Sequence, residues 1–230
     1  MLKSWFFTAT DTGIGKTTVA AATAYLMRNA GVDVGVMKPF ATGTEQKDKY
    51  KSEDVVLLAE AAGVSDQQDV INPYFFPIPA SPYTAANSLN ATIDPSVVLK
   101  QFEVILTLHD VVLVEGIGGI LTPILKDYHV VDLIKDMGLD AILVISSKLG
   151  TVNHTLLTCL AAKKYGVNLR GIVIVGAKDG YNLSELAQDI TNLTGIDVLC
   201  VIPYIDDIKV SKVSEYIKTS KLMELLTDLS

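Results

Sequence analysis

The stretch Thr8-Ala-Thr-Asp-Thr-Gly-Ile-Gly-Lys-Thr-Thr18 decides the fold of this chain. An apolar run, residues 5–7, precedes it, and an alanine-rich run that favours a helix, residues 19–30, follows it. A strand, a glycine-containing loop and a helix in this order are typical of a phosphate-binding loop, in which backbone N–H groups surround an oligophosphate at a helix N-terminus. The stretch therefore predicts a nucleotide site formed by Gly13, Ile14, Gly15, Lys16, Thr17 and Thr18.

The phosphate-loop pattern G-x-x-x-x-G-K-[ST] is matched only in its second half. Gly15, Lys16 and Thr17 are present, but Thr10 occupies the place of the first glycine. Because Gly-Lys-Thr alone occurs by chance, an ordinary strand-to-helix turn is the alternative, and the position directly after the first strand favours the phosphate loop. In such a loop the lysine ammonium contacts the outer phosphate oxygens and the threonine hydroxyl binds Mg²⁺.

Composition limits the class of protein. The 230 residues are compatible with one α/β domain over 1–230, and 49% hydrophobic residues suffice for a large core. A net charge of −7 argues against a nucleic-acid-binding surface. No stretch reaches the roughly 18–20 apolar residues of a membrane span, and no signal peptide is expected. Cys159 and Cys200 lie in apolar runs and predict buried, reduced thiols in a cytoplasmic protein.

Short apolar runs alternate with amphipathic, helical patterns along the chain, which predicts an α/β fold with a mostly parallel sheet covered by helices on both faces. Strands are predicted at Ser4–Thr8, Asp33–Lys38, Asp110–Glu115, Ala141–Ser146, Gly171–Val175 and Val198–Ile202. Helices are predicted at Lys16–Asn29, Glu53–Ala62, Pro95–Leu108, Val130–Met137, Val152–Tyr165, Leu183–Leu193 and Ser214–Leu226. The proline-rich residues 72–82 are predicted to form a stiff aromatic loop, neither helical nor part of a central strand.

Ligands of such sheets collect beyond the carboxyl ends of the strands, so the residues that follow each strand are the candidates for function. Lys38 ends the second strand, and a surface lysine is the alternative. Asp54 lies in the first turn of a helix, where a carboxylate is also favoured structurally. Glu115 ends a fully apolar strand, where a charge needs a partner or a cation. A buried ion pair is the alternative to metal support by Glu115, and Gly116 and Gly118 allow backbone to approach a nucleotide.

The later strand ends predict two further sites. The segment Lys148-Leu-Gly150-Thr-Val-Asn-His154 leads into a helix whose free N–H groups suit a carboxylate ligand. His154 is more simply a structural residue than a base. The fifth and sixth strands are followed by loops that would lie side by side and hold a nucleobase, at Gly176, Ala177, Pro203, Tyr204 and Ile205.

Together these pieces resemble the dethiobiotin synthetase family over roughly residues 4–205. The Lys38 segment and the Lys148–His154 segment are far more specific for the family than the phosphate loop. The similar segments, in the family's order and spacing, are Thr10-Asp-Thr-Gly-Ile-Gly-Lys-Thr17, Lys38-Pro-Phe-Ala-Thr-Gly-Thr-Glu45, Asn72-Pro-Tyr74, Ser81-Pro82, Val114-Glu-Gly-Ile-Gly-Gly119 and Lys148–His154.

The resemblance implies a reaction in which 7,8-diaminopelargonic acid, CO₂ and ATP give dethiobiotin, ADP and phosphate with Mg²⁺. A substrate amine captures CO₂ as a carbamate, the γ-phosphoryl group moves to the carbamate, and the second amine closes the ring and expels phosphate. Lys16 and Lys38 are implied to flank the developing charge, with Mg²⁺ held by Thr17, Asp54 and Glu115. The implied substrate residues are Thr12, which is also assigned a catalytic role, Thr42, Ser81 and, from the partner subunit of a homodimer, Gly150, Thr151 and Asn153.

Three departures from the family affect these expectations. The family often has Glu at the position of Gly13 and more commonly has Ser at that of Thr42. The family's adenine-reading Asn aligns with Gly176, which has no side chain to select adenine. Base selectivity is therefore expected to be weak, or to come from backbone groups near Gly176 and Pro203.

A second class of protein uses the same sheet and loop, namely the regulatory switch ATPases that dimerise around nucleotide. Those proteins carry an additional lysine early in the loop, where this chain has Asp11. The C-terminal residues 214–230 carry no basic amphipathic pattern for a membrane surface. A glutamine-dependent amidotransferase would need a further domain with a nucleophilic cysteine. A non-catalytic nucleotide-binding module is the remaining alternative.

Overall fold

The computed structural model of this protein describes residues 3–46 and 49–227. Strands and helices alternate along most of that length. The strands are β1 (Trp5–Ala9), β2 (Val34–Met37), β3 (Phe40–Thr42), β4 (Tyr74–Phe76), β5 (Val111–Glu115), β6 (Pro123–Leu125), β7 (Tyr128–His129), β8 (Asp140–Ser146), β9 (Leu169–Val175) and β10 (Val198–Ile202). The helices are α1 (Lys16–Asn29), α2 (Glu53–Ala62), α3 (Gln68–Ile71), α4 (Pro82–Ser88), α5 (Pro95–Leu108), α6 (Val130–Asp136), α7 (Thr151–Tyr165), α8 (Leu183–Thr194), α9 (Val210–Lys218) and α10 (Lys221–Thr227).

The central sheet of the described chain has the strand order β10-β9-β8-β1-β5-β2, and its neighbouring strands are parallel. Alternate residues of each strand enter opposite cores, because side chains alternate across a sheet. In β1, Trp5 and Phe7 pack with α1, α2, α9 and α10, whereas Phe6 packs with α4, α5 and α6. Helices α7 and α8 complete the second face over β8 and β9. The predicted parallel α/β sheet with helices on both faces is confirmed.

Three local predictions were wrong, one of them only in part, because residues 72–82 contribute no strand to the central sheet, as expected. The 72–82 segment contains strand β4, which pairs with β3 in a parallel two-stranded ribbon outside the central sheet, and its last residue, Pro82, begins helix α4. The C-terminal helix is divided into α9 and α10, because the backbone and side chain of Ser220 both donate to the carbonyl oxygen of Ile217. Cys159 is half-buried rather than buried, although it and the buried Cys200 are both free thiols.

The described helices include none that is both long and apolar enough to cross a membrane.

His109, at the end of α5, joins elements at the edge of the sheet opposite the phosphate loop. Its Nδ1 lies 2.7 Å from Oδ1 of Asp33 and its Nε2 lies 3.1 Å from Oδ2 of Asp66. Gly35 leaves room for the ring, since a Cβ there would lie 2.5 Å from its Cδ2. A neutral imidazole has only one N–H donor, so two carboxylate partners favour the protonated ring. Burial opposes that charge, but the hydrogen bonds to Asp33 and Asp66 outweigh burial and raise the pKa of His109.

We expect the contacts of His109 with Asp33 and Asp66 to make the free energy of unfolding fall as the pH rises. Because the folded-state pKa of His109 is raised, the stabilisation is fully present below the unfolded-state pKa of about 6.5 and is lost as the pH rises through the folded-state pKa. Urea unfolding of wild type and of His109→Gln across this range measures the effect. The decline should be smaller in His109→Gln, and an identical pH dependence in the two proteins would contradict the assignment.

Candidate active site

The phosphate loop lies between the end of β1 and the start of α1. Gly15 precedes the helix with φ of 99°, and Gly13 has φ of 70°, a left-handed region in which glycine is favoured. No side chain caps the N-terminus of α1, and its first turn contains no acidic residue. The first N–H groups of the helix therefore remain open to an anion at the positive end of the helix dipole.

Lys16 and Lys38 converge on a single carboxylate. The Nζ atom of Lys16 lies 3.0 Å from Oε1 of Glu115, and the Nζ atom of Lys38 lies 3.0 Å from the same oxygen. Lys38 also contacts Asp54, with 3.0 Å between Nζ and Oδ2. The side chains of Lys38 and Glu115 are 4% and 0% exposed, so these charges are stable in the interior only because they are paired.

The pKa values of the two lysines are shifted in opposite directions. Burial lowers the pKa of Lys16, and attraction to Glu115 does not fully offset it because the neighbouring Lys38 repels a second positive charge. Burial also disfavours the charged form of Lys38, but Glu115 and Asp54 together outweigh burial and raise its pKa. Burial alone would raise the pKa of Asp54, but the Lys38 ammonium group outweighs burial and lowers the pKa of this carboxyl group. The pKa values of the two lysines thus differ because Lys38 contacts two carboxylates and Lys16 contacts one.

The oxygen atoms around Glu115 suit a magnesium ion. Thr17 donates its hydroxyl to Oε1 of Glu115 at 2.7 Å. Within the described residues, the buried Oε2 atom of Glu115 has no hydrogen-bond partner. Mg²⁺ prefers oxygen ligands and is commonly held by one or two carboxylates together with substrate phosphates and water. The unpartnered oxygen, the Thr17 hydroxyl and the Asp54 carboxylate form such a donor set, so the residues present fit the ion.

A cavity of about 280 Å³ lies next to these groups, although the fully buried Glu115 does not line it. The charged residues Lys16, Lys38 and Asp54 share it with the two threonines predicted to bind substrate, Thr12 and Thr42. Asp11 and Ile117 also line it, although neither was predicted to bind a ligand. Their positions, inside the phosphate loop and between Glu115 and Gly118, are the only signals that point to them. The remaining lining residues are Gly13, Ile14, Gly15, Thr17 and Gly118.

Other predicted site residues lie beside this cavity. Thr151 and His154 line a second cavity of about 170 Å³, which shares the phosphate-loop residues 11–14 with the first. The buried Thr151 hydroxyl has no partner within the described residues. Gly150 precedes α7 with φ of 93°, and Asn153 is exposed on the first turn. These residues therefore stand at the open end of α7, next to the phosphate loop.

Ser81, Gly116 and Thr18 are among the predicted site residues that do not line this cavity. Ser81 instead caps α4, its Oγ accepting the N–H of Thr84 at 3.2 Å. Gly116 is buried under the ring of Phe6, where a Cβ would lie 2.7 Å from Cε1. Thr18 lies half-buried in the first turn of α1. The structure therefore gives Ser81 and Gly116 structural roles in the chain as it stands.

The two loops predicted to hold a nucleobase are neighbours. The N–H of Gly176 donates to the carbonyl oxygen of Ile202 at 2.7 Å. A Cβ at Gly176 would lie 2.5 Å from the backbone nitrogen of Tyr204 and 2.8 Å from the carbonyl carbon of Pro203, so the backbone after β10 occupies the space of a side chain. None of Gly176, Ala177, Pro203, Tyr204 and Ile205 lines the cavity that contains the lysines.

Solved structures with a similar fold include a cell division protein and a ParA family ATPase. The MinD cell division protein of Aquifex aeolicus matches with a TM-score of 0.58 and 16% identity, over 97% of this chain and 94% of that one. A ParA family ATPase from Chlorobium tepidum matches with a TM-score of 0.53 and 15% identity, over 99% and 94% of the two chains. At such low identity these similarities establish the fold alone.

Sequence comparison identifies the family. A family model described as an AAA domain matches residues 3–212. The ATP-dependent dethiobiotin synthetase of Nitrosopumilus maritimus is 48% identical over 94% of this chain and 96% of its own length. The enzyme of the same name from Bacillus licheniformis is 36% identical over 94% of this chain and 92% of its own. With the phosphate loop and the paired lysines in place, these relatives show that the chain belongs to the family of ATP-dependent dethiobiotin synthetases.

Proposed function

We propose that this protein is an ATP-dependent ligase that converts 7,8-diaminopelargonic acid and CO₂ into dethiobiotin, with release of ADP and phosphate. The observation that carries the proposal is the convergence of Lys16 and Lys38 on the buried Glu115, with both lysines lining one cavity beside the phosphate loop. Transfer of a phosphoryl group depends chiefly on positioning and on neutralisation of charge. Two ammonium groups from separate loops supply both.

Lys16 and Lys38 have distinct parts in this proposal. Lys16 begins α1 and binds the outer phosphate oxygens of ATP, together with the open N–H groups of the loop. Lys38 reaches the same cavity from the connection between β2 and β3, and it stabilises the negative charge on the transferred phosphoryl group and the carbamate. Glu115 neutralises both ammonium groups in the absence of nucleotide, and the anionic oxygens of ATP can take its place.

The magnesium ion is part of the proposal. Thr17, Asp54 and Glu115 would hold it, directly or through water. When bound, the ion neutralises charge on the phosphate oxygens. Asp54 also pairs with Lys38, so the same carboxylate fixes the ammonium group that faces the reaction.

The carbamate is expected to form on the diamine inside the cavity. A substrate amine attacks CO₂, and the resulting carbamate oxygen accepts the γ-phosphoryl group of ATP. The second amine then attacks the carbamate carbon, closes the ureido ring and expels phosphate. The hydroxyl groups of Thr12 and Thr42 line the cavity and can hydrogen-bond the amines or the carbamate, which orients them for these steps.

A homodimer is the proposed functional unit, with the substrate tail bound at the start of α7 of the partner subunit. Exposed leucines before and along α7 support this proposal. Leu149 is 88% exposed and Leu160 is 63% exposed, and Leu121 and Leu157 are exposed near them along the cavity that His154 also lines. Several exposed apolar side chains close together are typical of an interaction surface. Light scattering of the purified protein measures the mass directly, and a monomer would contradict the proposal.

Weak selectivity for the nucleobase is a further expectation. Because Gly176 has no side chain and the backbone of Tyr204 fills the space beside it, we expect other nucleoside triphosphates to support turnover within about tenfold of ATP, or ~1.4 kcal/mol. Gly176→Asn should disturb the loops rather than create selectivity for ATP. Measurement of kcat/KM with ATP, GTP and CTP tests this expectation, and a preference for ATP of about a hundredfold, ~2.7 kcal/mol, would contradict it.

One assay tests the proposed function as a whole. Purified protein is incubated with the diamine, bicarbonate, ATP and Mg²⁺, and phosphate release is followed. We expect release to require the diamine and dethiobiotin to form in equal amount. Phosphate release that is independent of the diamine would instead favour the alternative of a regulatory switch ATPase.

A further inference from the structure

The backbone of Lys38 lies outside the central sheet. Strand β2 ends at Met37 and β3 begins at Phe40, so Lys38 falls between them, followed by Pro39, which has no N–H group. The N–H of Lys38 donates to the carbonyl oxygen of Ile71 at 2.8 Å, and its own carbonyl oxygen accepts from Nδ2 of Asn72 at 2.6 Å. Two adjacent residues at the end of α3 therefore hold both polar groups of the Lys38 backbone.

The Asn72 side chain is buried and fully bonded. It is 2% exposed, and its Nδ2 also donates to the carbonyl oxygen of Tyr74 at 3.0 Å. Its Oδ1 accepts from Nε2 of Gln68 at 3.0 Å. Only a side-chain amide combines two donor hydrogens with an acceptor oxygen, so neither Asp nor a hydroxyl residue can replace it.

The same network reaches Lys51, in the segment that precedes Asp54, the carboxylate partner of Lys38. Oε1 of Gln68 accepts the N–H of Lys51 at 3.0 Å, just before the helix α2 that carries Asp54. The Phe40 and Tyr74 rings of the β3–β4 ribbon are stacked next to this network, with centroids 5.3 Å apart. Asn72 thus connects the backbone of Lys38 with the segment that leads to Asp54.

We propose that Asn72 is a positioning residue, which acts on the reaction through the placement of the Lys38 ammonium group. The kinetic part of this inference rests on the proposed function, because it requires that Lys38 face the transferred phosphoryl group. A displacement of about 1 Å in a positioned group can cost on the order of a hundredfold in rate. Loss of the Asn72 amide is therefore expected to lower kcat without removing any group that contacts ATP.

The test uses Asn72→Ala in the full-length protein, with Asn182→Ala as the matched control. Asn182 caps α8 through its side chain, so its loss lowers stability without touching the Lys38 corner. For Asn72→Ala we expect kcat to fall by about 10- to 100-fold, while KM for ATP and Kd for ADP stay within about threefold of wild type. The control should retain wild-type kinetics.

Hydrogen exchange supplies a readout that does not depend on the reaction. Peptides that contain the Lys38 N–H should exchange hydrogen faster than wild type in Asn72→Ala. In Asn182→Ala their exchange rate should equal that of wild type. If the wild-type protein lacks diamine-dependent turnover, the proposed function fails, and the exchange experiment still decides whether Asn72 holds Lys38. Unchanged exchange at Lys38 would overturn the inference.

A second variant covers the case in which Asn72→Ala does not fold, as judged by circular dichroism. Gln68→Ala removes the donor to Oδ1 of Asn72 but leaves the amide itself in place. We expect kcat to fall about two- to fivefold with KM for ATP unchanged, a smaller effect because the bond to Lys38 remains. Wild-type kcat in Gln68→Ala, or in a folded Asn72→Ala protein, would overturn the proposal, as would a loss that appears only in KM.

Discussion

Replacing Lys38 with Met should lower kcat by about a thousandfold, because it removes a charge aimed at the transferred phosphoryl group. Methionine preserves the length and apolar stem of the side chain. Glu115 keeps Lys16 and Thr17 as partners, so the buried carboxylate is not left unpaired and the protein should fold. Lys38 lies outside the phosphate loop, and nucleotide affinity should therefore change little.

The measurement pairs turnover with nucleotide binding. We expect Kd for ADP in Lys38→Met to stay within about threefold of wild type by titration calorimetry, while diamine-dependent phosphate release is lost. Lys51→Met is the control, since Lys51 is an exposed lysine whose Nζ lies 3.5 Å from Glu45. Turnover at the wild-type rate in Lys38→Met would remove Lys38 from its proposed role.

The central sheet could be predicted from the sequence because each of its strands consists mostly of apolar residues. The predicted second strand, for example, differs from β2 by one residue at each end. The ribbon of β3 and β4 could not be predicted in this way. Its three-residue strands pair Phe40 with Tyr74, and no local pattern reports contacts between residues so far apart in sequence.

The charged part of the candidate site was predictable for a topological reason. Lys38 follows β2 and Glu115 is the last residue of β5, and the carboxyl ends of parallel strands meet at one edge of the sheet, beside the phosphate loop. Residues that support those side chains gave no comparable signal. Asn72 lies after a four-residue helix in a proline-rich segment, and its amide acts on a carbonyl group of Lys38, 34 residues away.

Gly176, the residue after β9, lacks a side chain to bind a base and also lies against the backbone of Tyr204. From the sequence, Gly176 is only a residue that cannot read a base. In the structure, the backbone of Tyr204 would lie 2.5 Å from a Cβ at this position. The two loops therefore pack directly against each other. A side chain introduced at Gly176 cannot contact a nucleobase unless one of the loops moves.

Glu115→Gln should raise the Mg²⁺ concentration needed for half-maximal activity by about 10- to 100-fold, the usual cost of losing a group that supports a metal. Glutamine has the same shape but no charge, so it gives up the attraction between Oε1 and both ammonium groups. Some folding stability should be lost for that reason. Activity is therefore compared at a temperature at which circular dichroism shows both proteins to be folded.

Binding of the metal separates the two roles of Glu115. Titration of Mn²⁺ into the ADP complex, followed by electron paramagnetic resonance, should show weaker binding in Glu115→Gln at a temperature where the fold is intact. Glu53→Gln is the matched control, because Glu53 is exposed and directly precedes Asp54 on α2. If Glu115 only neutralised the two lysines, its loss would lower stability and leave the affinity for the ion unchanged. An unaltered Mg²⁺ requirement would therefore restrict Glu115 to the ion pairs with Lys16 and Lys38.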